Sequence, residues 1–136
     1  MVDQLDHKII EILNKNSRAS FVDIGKQIGL SPSSIRERIQ KLEETEVILG
    51  FGLKTNPKKL GYGLEVFILF KLYSGKLKLF VDQLDQIPEI QEGYRITGGF
   101  NICMQVLLED QLHLQRFIDR LLQFGEPTTH LILSEL

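Results

Sequence analysis

Apolar residues recur along this chain with a helical period in its first third, and then with strand-like runs separated by two further helical stretches. Residues 3–16 place Leu5, Ile9, Ile12 and Leu13 on one side, with Ile10 at its edge, which predicts a first helix capped by Asp3 and favoured by Asp6 at its positive end. Residues 20–28 form a second helix, with Ser20 as cap, Asp23 as its capping-box partner and Val22, Ile24 and Ile28 as the apolar side. Gly25 is small where another helix must come close, and Gly29 supplies the positive φ of a sharp turn. Ser31 then caps a third helix with Pro32 in its first turn and Ile35, Ile39 and Leu42 facing inward. That helix is expected to end near residues 44–46.

Beyond it, residues 47–55 read as an extended segment, and residues 50–62, rich in turn formers and lysines, read as a linker. Residues 64–73 form a strand with one fully apolar face (Leu64, Val66, Ile68, Phe70, Leu72) and a second face carrying Phe67, Leu69 and Tyr73. Two apolar faces call for cover on both sides, and a second copy of the chain is the economical cover. A helix over 77–87 follows, with Leu77, Phe80, Val81 and Leu84 inward, and it stops before Pro88. Strands over 90–97 and 100–108 join through a turn at Gly98 and Gly99. Asp110 caps a helix running to about 124, Gly125-Glu126-Pro127 breaks it, and residues 128–133 give the last strand. The fold class is therefore α+β. Residues 1–49 make a three-helix, winged-helix-like helix-turn-helix domain, 50–62 a linker, and 63–136 a ferredoxin-like βαββαβ sandwich.

The outer side of the third helix carries Ser31, Ser33, Ser34, Arg36, Glu37, Arg38, Gln40 and Lys41. Hydroxyls and guanidinium groups in that arrangement suit phosphates and base edges in a major groove. The competing reading is a pair of core helices with a solvated polar face. Charge supports the DNA reading mildly: the net charge is −2, yet residues 1–60 hold 10 Lys+Arg against 8 Asp+Glu, and residues 61–136 hold 6 against 10. Dimerisation is expected to supply affinity that one module lacks.

Other chemistry is sparse. A single Cys103 and scattered His7, His113 and His130 argue against a disulfide or structural zinc. No nucleophile–base constellation points to an enzyme, and no cofactor is expected. No apolar run spans a bilayer and no secretory signal is read, so a cytoplasmic, nucleoid-associated protein without a membrane partner is the expectation.

The ordered set of motifs resembles the Lrp/AsnC family of leucine-responsive and asparagine-responsive transcription regulators. It comprises Asp3-x-x-Asp6-x-x-Ile9-Ile10, Ser17-Arg18, Ile24-Gly25, Gly29-Leu30-Ser31-Pro32, Arg38-Ile39-x-x-Leu42-Glu43, Val47-Ile48-x-Gly50-Phe51 and Thr97-Gly98-Gly99-Phe100. The resemblance implies a dimer through the ferredoxin-like domain, often assembled into octamers, that binds a pseudo-palindromic operator in double-stranded DNA. It also implies an amino-acid effector in a cleft between neighbouring dimers, lined by Thr97, Gly98, Gly99, Phe100 and Asn101, with His130 nearby. The chain departs from the family's pattern at Asn101, where aspartate is common, and at Glu46, where glycine is frequent. A neutral amide loses the charge-assisted bond to an amine. Two other functions fit the same elements: an effector-independent architectural DNA-binding protein, and a ferredoxin-like small-molecule-binding domain without DNA binding.

Overall fold

The computed structural model describes residues 1–136, which divide into two compact units, Met1–Lys54 and Thr55–Leu136. The division falls inside the 50–62 segment.

The first unit holds α1 (Gln4–Lys15), α2 (Phe21–Ile28) and α3 (Pro32–Glu44). Each start is capped. The Asp3 carboxylate accepts from the Asp6 N–H at 2.8 Å, and the Asp6 carboxylate accepts from the Asp3 N–H at 3.1 Å. Ser20 Oγ accepts from the Asp23 N–H and Ser31 Oγ from the Ser34 N–H. The turn between α2 and α3 depends on two glycines. Gly29 has φ 78°, and the N–H groups of Gly29 and Leu30 both donate to the Gly25 carbonyl. A Cβ on Gly25 would stand 2.3 Å from the Leu30 carbonyl oxygen, so only hydrogen fits.

Ile9, Ile24, Ile35 and Ile39 form the core of this unit, with Ile12, Leu13, Ala19, Ile28, Leu30 and Ile48 packed around them. Val22, expected on the apolar side of α2, is instead 48% exposed, because it lies two positions from Ile24 and so on the far side of the helix. After α3, Thr45 and Glu46 end the helix, with Glu46 at φ 58°. The Val47 N–H reaches back to the Leu42 carbonyl and the Glu46 N–H to that of Glu43, the bonding of a Schellman stop. Residues 47–55, read as extended, pair with no strand, so the winged-helix-like expectation holds for the three helices and not for a wing. A short 3₁₀ turn, Pro57–Leu60, leads into the second unit.

That unit is a four-stranded antiparallel sheet of β1 (Leu64–Leu72), β2 (Ile90–Arg95), β3 (Ile102–Leu108) and β4 (Gly125–Leu131), in the order β2-β3-β1-β4. Two helices, α4 (Leu77–Asp82) and α5 (Gln111–Leu121), lie in the connections. One face of the sheet is the core: Val66, Ile68, Phe70, Ile102, Met104, Val106 and Leu108 pack with Phe80, Phe117, Leu121 and Phe124. Phe80 meets Phe70 and Phe124 edge-on at 5.3 and 5.4 Å between centroids. Each such side chain contributes about 1.5–3 kcal/mol by burial.

Three expectations need correction. The helix read over 77–87 is α4 followed by a 3₁₀ turn, Leu84–Gln86; such short pieces bury Phe80 and leave Val81 and Leu84 exposed. The segment Gly125-Glu126-Pro127, read as a breaker, belongs to β4. Gly125 is required because a Cβ there would stand 2.3 Å from the Lys71 carbonyl oxygen. Pro127 is tolerated because β4 is an edge strand. Phe70 and Leu72 use their facing backbone groups toward β3, so the Phe70–Pro127 pair is a non-hydrogen-bonded one and the proline nitrogen points to the free edge. The turn at Gly98 and Gly99 is also wider than expected, since β2 ends at Arg95 and β3 begins at Ile102.

Candidate functional site

Burial divides α3 into two sides. Ile35, Ile39 and Leu42 are buried, while Ser33, Arg36, Glu37, Gln40 and Lys41 are exposed and Ser34 is half-buried. The exposed set combines hydroxyl, guanidinium, carboxylate, amide and ammonium groups from the first turn of the helix to its last, a mixture able to meet phosphates and each kind of base edge. Ser31 uses its hydroxyl on the cap and on Ser33 Oγ at 3.1 Å. Gln40 Nε2 donates to Glu44 Oε1 at 3.0 Å, a surface bond that a base could replace.

Arg38, expected on this face, is engaged with carboxylates of the first helix. Its Nη1 donates to both carboxylate oxygens of Asp3, at 2.9 and 2.8 Å, and to Asp6 Oδ1 at 3.0 Å. The reason is geometric: position 38 follows Ile35 by three, so its side chain leans along the α1-facing flank of the helix. The Arg38 hydrogen bond, then the Asp6 backbone N–H, lower the Asp3 carboxyl to about 2.

The candidate effector residues separate. Asn101 donates its backbone N–H to the Phe70 carbonyl at 2.9 Å, and its side-chain oxygen accepts from the Leu72 N–H at 2.8 Å. Gly98 has φ 101°, and the Ile96 N–H closes the turn on the Asn101 carbonyl. A cavity of about 220 Å³ opens beside this turn, lined by Leu72, Tyr73, Ser74, Gly75, Leu77, Arg95, Ile96 and Asn101. Thr97, Gly98, Gly99 and Phe100 do not line it. His130 does not reach it either: it stands opposite Phe67 on the other face of the sheet, three strand positions from Phe70. Spacing along the chain does not reveal that Arg95 and Ser74 share this cavity, because only the antiparallel register brings the end of β1 to the end of β2. A larger open groove of about 660 Å³ lies along α1 and α2, among Lys8, Glu11, Lys15, Asp23 and Lys26. Its charges are of mixed sign and it favours no ligand class.

The sheet face turned away from α4 and α5 carries Phe67 and Tyr94, both exposed, with half-buried Leu69 and Cys103 and buried Leu107. Gln105 Nε2 donates to Glu65 Oε1 on the same face at 2.6 Å. The Tyr94 hydroxyl donates to Glu92, which raises its pKa. No helix in the chain is long and apolar enough to cross a membrane.

Comparison with known proteins bears directly on these surfaces. Residues 2–43 match the AsnC-type helix-turn-helix domain, and residues 65–136 match the Lrp/AsnC ligand binding domain. The chain is 38% identical to the HTH-type transcriptional regulator FL11 of Pyrococcus furiosus over 119 residues, covering 88% of this chain and 79% of that protein. It is 31% identical to LrpC of Bacillus subtilis over 135 residues, 99% of this chain and 94% of LrpC. The solved structure of LrpC superposes with a TM-score of 0.94 over 100% of this chain and 97% of its own. That of E. coli AsnC, 29% identical, superposes with a TM-score of 0.85 over 99% and 94%. The chain thus belongs to the Lrp/AsnC family of transcriptional regulators, an AsnC-type helix-turn-helix DNA-binding domain followed by a ligand-binding domain.

Proposed function

We propose that two copies of the chain, joined through the open sheet face around Phe67, Leu69 and Cys103, read a pseudo-palindromic operator with their α3 helices, and that an amino acid modulates the assembly. The observation that carries this reading is the split of α3 into a buried isoleucine–leucine stripe and an exposed face of Ser33, Arg36, Glu37 and Gln40. That face suits a major groove. An apolar sheet surface without a helix over it suits a second copy of itself. The cavity beside Asn101 offers the Arg95 guanidinium to a ligand carboxylate, and a ligand that binds one assembly better than another shifts their balance. Higher assemblies such as octamers, and work in the cytoplasm on nucleoid DNA, belong to the same proposal. No catalytic activity does.

The test begins with selection of duplexes from a random-sequence pool by the full chain. The gel shift of the enriched duplex is then compared for wild type, Arg36→Ala and Gln40→Ala. Both variants are expected to weaken binding by roughly five- to a hundredfold at unchanged mass. Phe67→Glu is expected to lower the mass seen by light scattering. Unchanged affinity in both α3 variants removes the proposed face.

A further inference from the structure

We infer that Asp3, Asp6 and Arg38 form a positioning device for the DNA-reading helix, so that residue 3, which touches no DNA, sets operator affinity. The inference rests on the reading of α3 as the groove helix.

One nitrogen, Arg38 Nη1, holds three carboxylate oxygens within 3.0 Å, across 35 residues of chain. The same two carboxylates already close the capping box at the start of α1. The first turn of α1 and the middle of α3 are therefore fixed by one hydrogen-bonded knot. Two of its members are sheltered, the side chains of Arg38 and Asp6 being 29% and 11% exposed, while Asp3 is 52% exposed and reaches them from the rim. The apolar core that otherwise orients α3 is small, with Ile9, Ile24, Ile35 and Ile39 as its buried centre. A polar contact at its rim limits how far α3 can roll or tilt, and Arg36 and Gln40 lie two positions either side of Arg38.

Electrostatics separates this role from a phosphate contact. Two carboxylates against one guanidinium leave the knot with a net negative charge, which DNA repels. If Arg38 swung out to a phosphate, it would leave two unpaired carboxylates behind. Long-range charge effects alone therefore predict that neutralising Asp3 tightens DNA binding. Positioning predicts the opposite sign.

The experiment uses full-length protein and a fluorescein-labelled duplex that the wild-type chain has enriched from a random-sequence pool, titrated by anisotropy at several KCl concentrations. Asn keeps the helix cap while removing the charge, so Asp3→Asn is the primary variant. Circular dichroism at the assay temperature shows that each variant is folded. Asp3→Asn is expected to bind about fivefold more weakly. Arg38→Met is expected to weaken binding with the slope of log affinity against log salt unchanged, whereas loss of a phosphate contact would flatten that slope by about 0.9. Equal or tighter binding by Asp3→Asn, or a flattened slope for Arg38→Met, overturns the inference. Arg36→Ala, titrated in parallel, keeps the two claims apart. If it weakens binding while Asp3→Asn does not, the knot fails and the groove helix stands. If no duplex is enriched, or none of the variants changes affinity, the groove reading fails and takes the knot with it.

Discussion

Asn101 and Leu72 are joined by a side-chain-to-backbone hydrogen bond of 2.8 Å that extends the β1–β3 pairing one step beyond Ile102, the first residue of β3. The amide oxygen does the work of a backbone carbonyl, and the turn after β2 is thereby anchored to the end of β1. Asn101→Ala leaves the Leu72 N–H without this partner and is expected to destabilise the chain by about 1–2 kcal/mol. Asn101→Asp keeps an acceptor and is expected to hold the fold within about 1 kcal/mol of wild type, while placing an anion beside Arg95. Urea unfolding followed by circular dichroism checks both, since the chain has no tryptophan to follow.

Glu46 ends α3 in the left-handed region at φ 58°, where a side chain costs about 1 kcal/mol or more relative to glycine. The Schellman bonds from Glu46 and Val47 need that conformation whatever the residue. Glu46→Gly is therefore expected to stabilise the chain by about 0.5–1 kcal/mol after the extra freedom of glycine in the unfolded chain is subtracted. A higher urea midpoint with an unchanged slope is the signature.

Asp3 gives a pH dependence with a definite sign. Its carboxyl titrates at about 2 in the folded chain against an ordinary 3.8, because Arg38 and the Asp6 N–H bond its charged form. The folded state then binds fewer protons than the unfolded one between those values, so the contribution is complete above about pH 4 and is lost as pH falls toward about 2. The difference in thermal midpoint between wild type and Asp3→Asn is expected to be constant near neutrality and to shrink through that acid window. A difference that stays constant down to pH 2 contradicts the assignment.

The caps show what a sequence makes legible. Ser20, Gly29 and Ser31 were readable because their chemistry acts within three or four residues, and the inward stripe Ile35, Ile39, Leu42 because a period of 3.6 is local too. Glu46 stood out as a departure from the family pattern; the backbone angle shows why glycine suits that position. The ion pairs of Arg38 are not legible in the sequence because its partners lie 35 and 32 residues away, and a helical wheel gives position 38 a flank without saying what waits there. Arg95 lines the cavity beside Asn101 and His130 does not, for the same reason: sheet register, not spacing along the chain, decides which strand ends meet. Gly125 and Pro127 look like a stop signal in isolation. At the rim of a sheet the same pair permits a strand.

Pro127 also has a bearing on how copies of this chain find one another. Its ring removes a donor from the outer border of β4, the place where a foreign strand would add itself by backbone pairing. Open-ended stacking through that border is thereby disfavoured. In the proposed dimer, contact would instead run through side chains on the broad surface around Phe67, a self-complementary arrangement that closes after two copies.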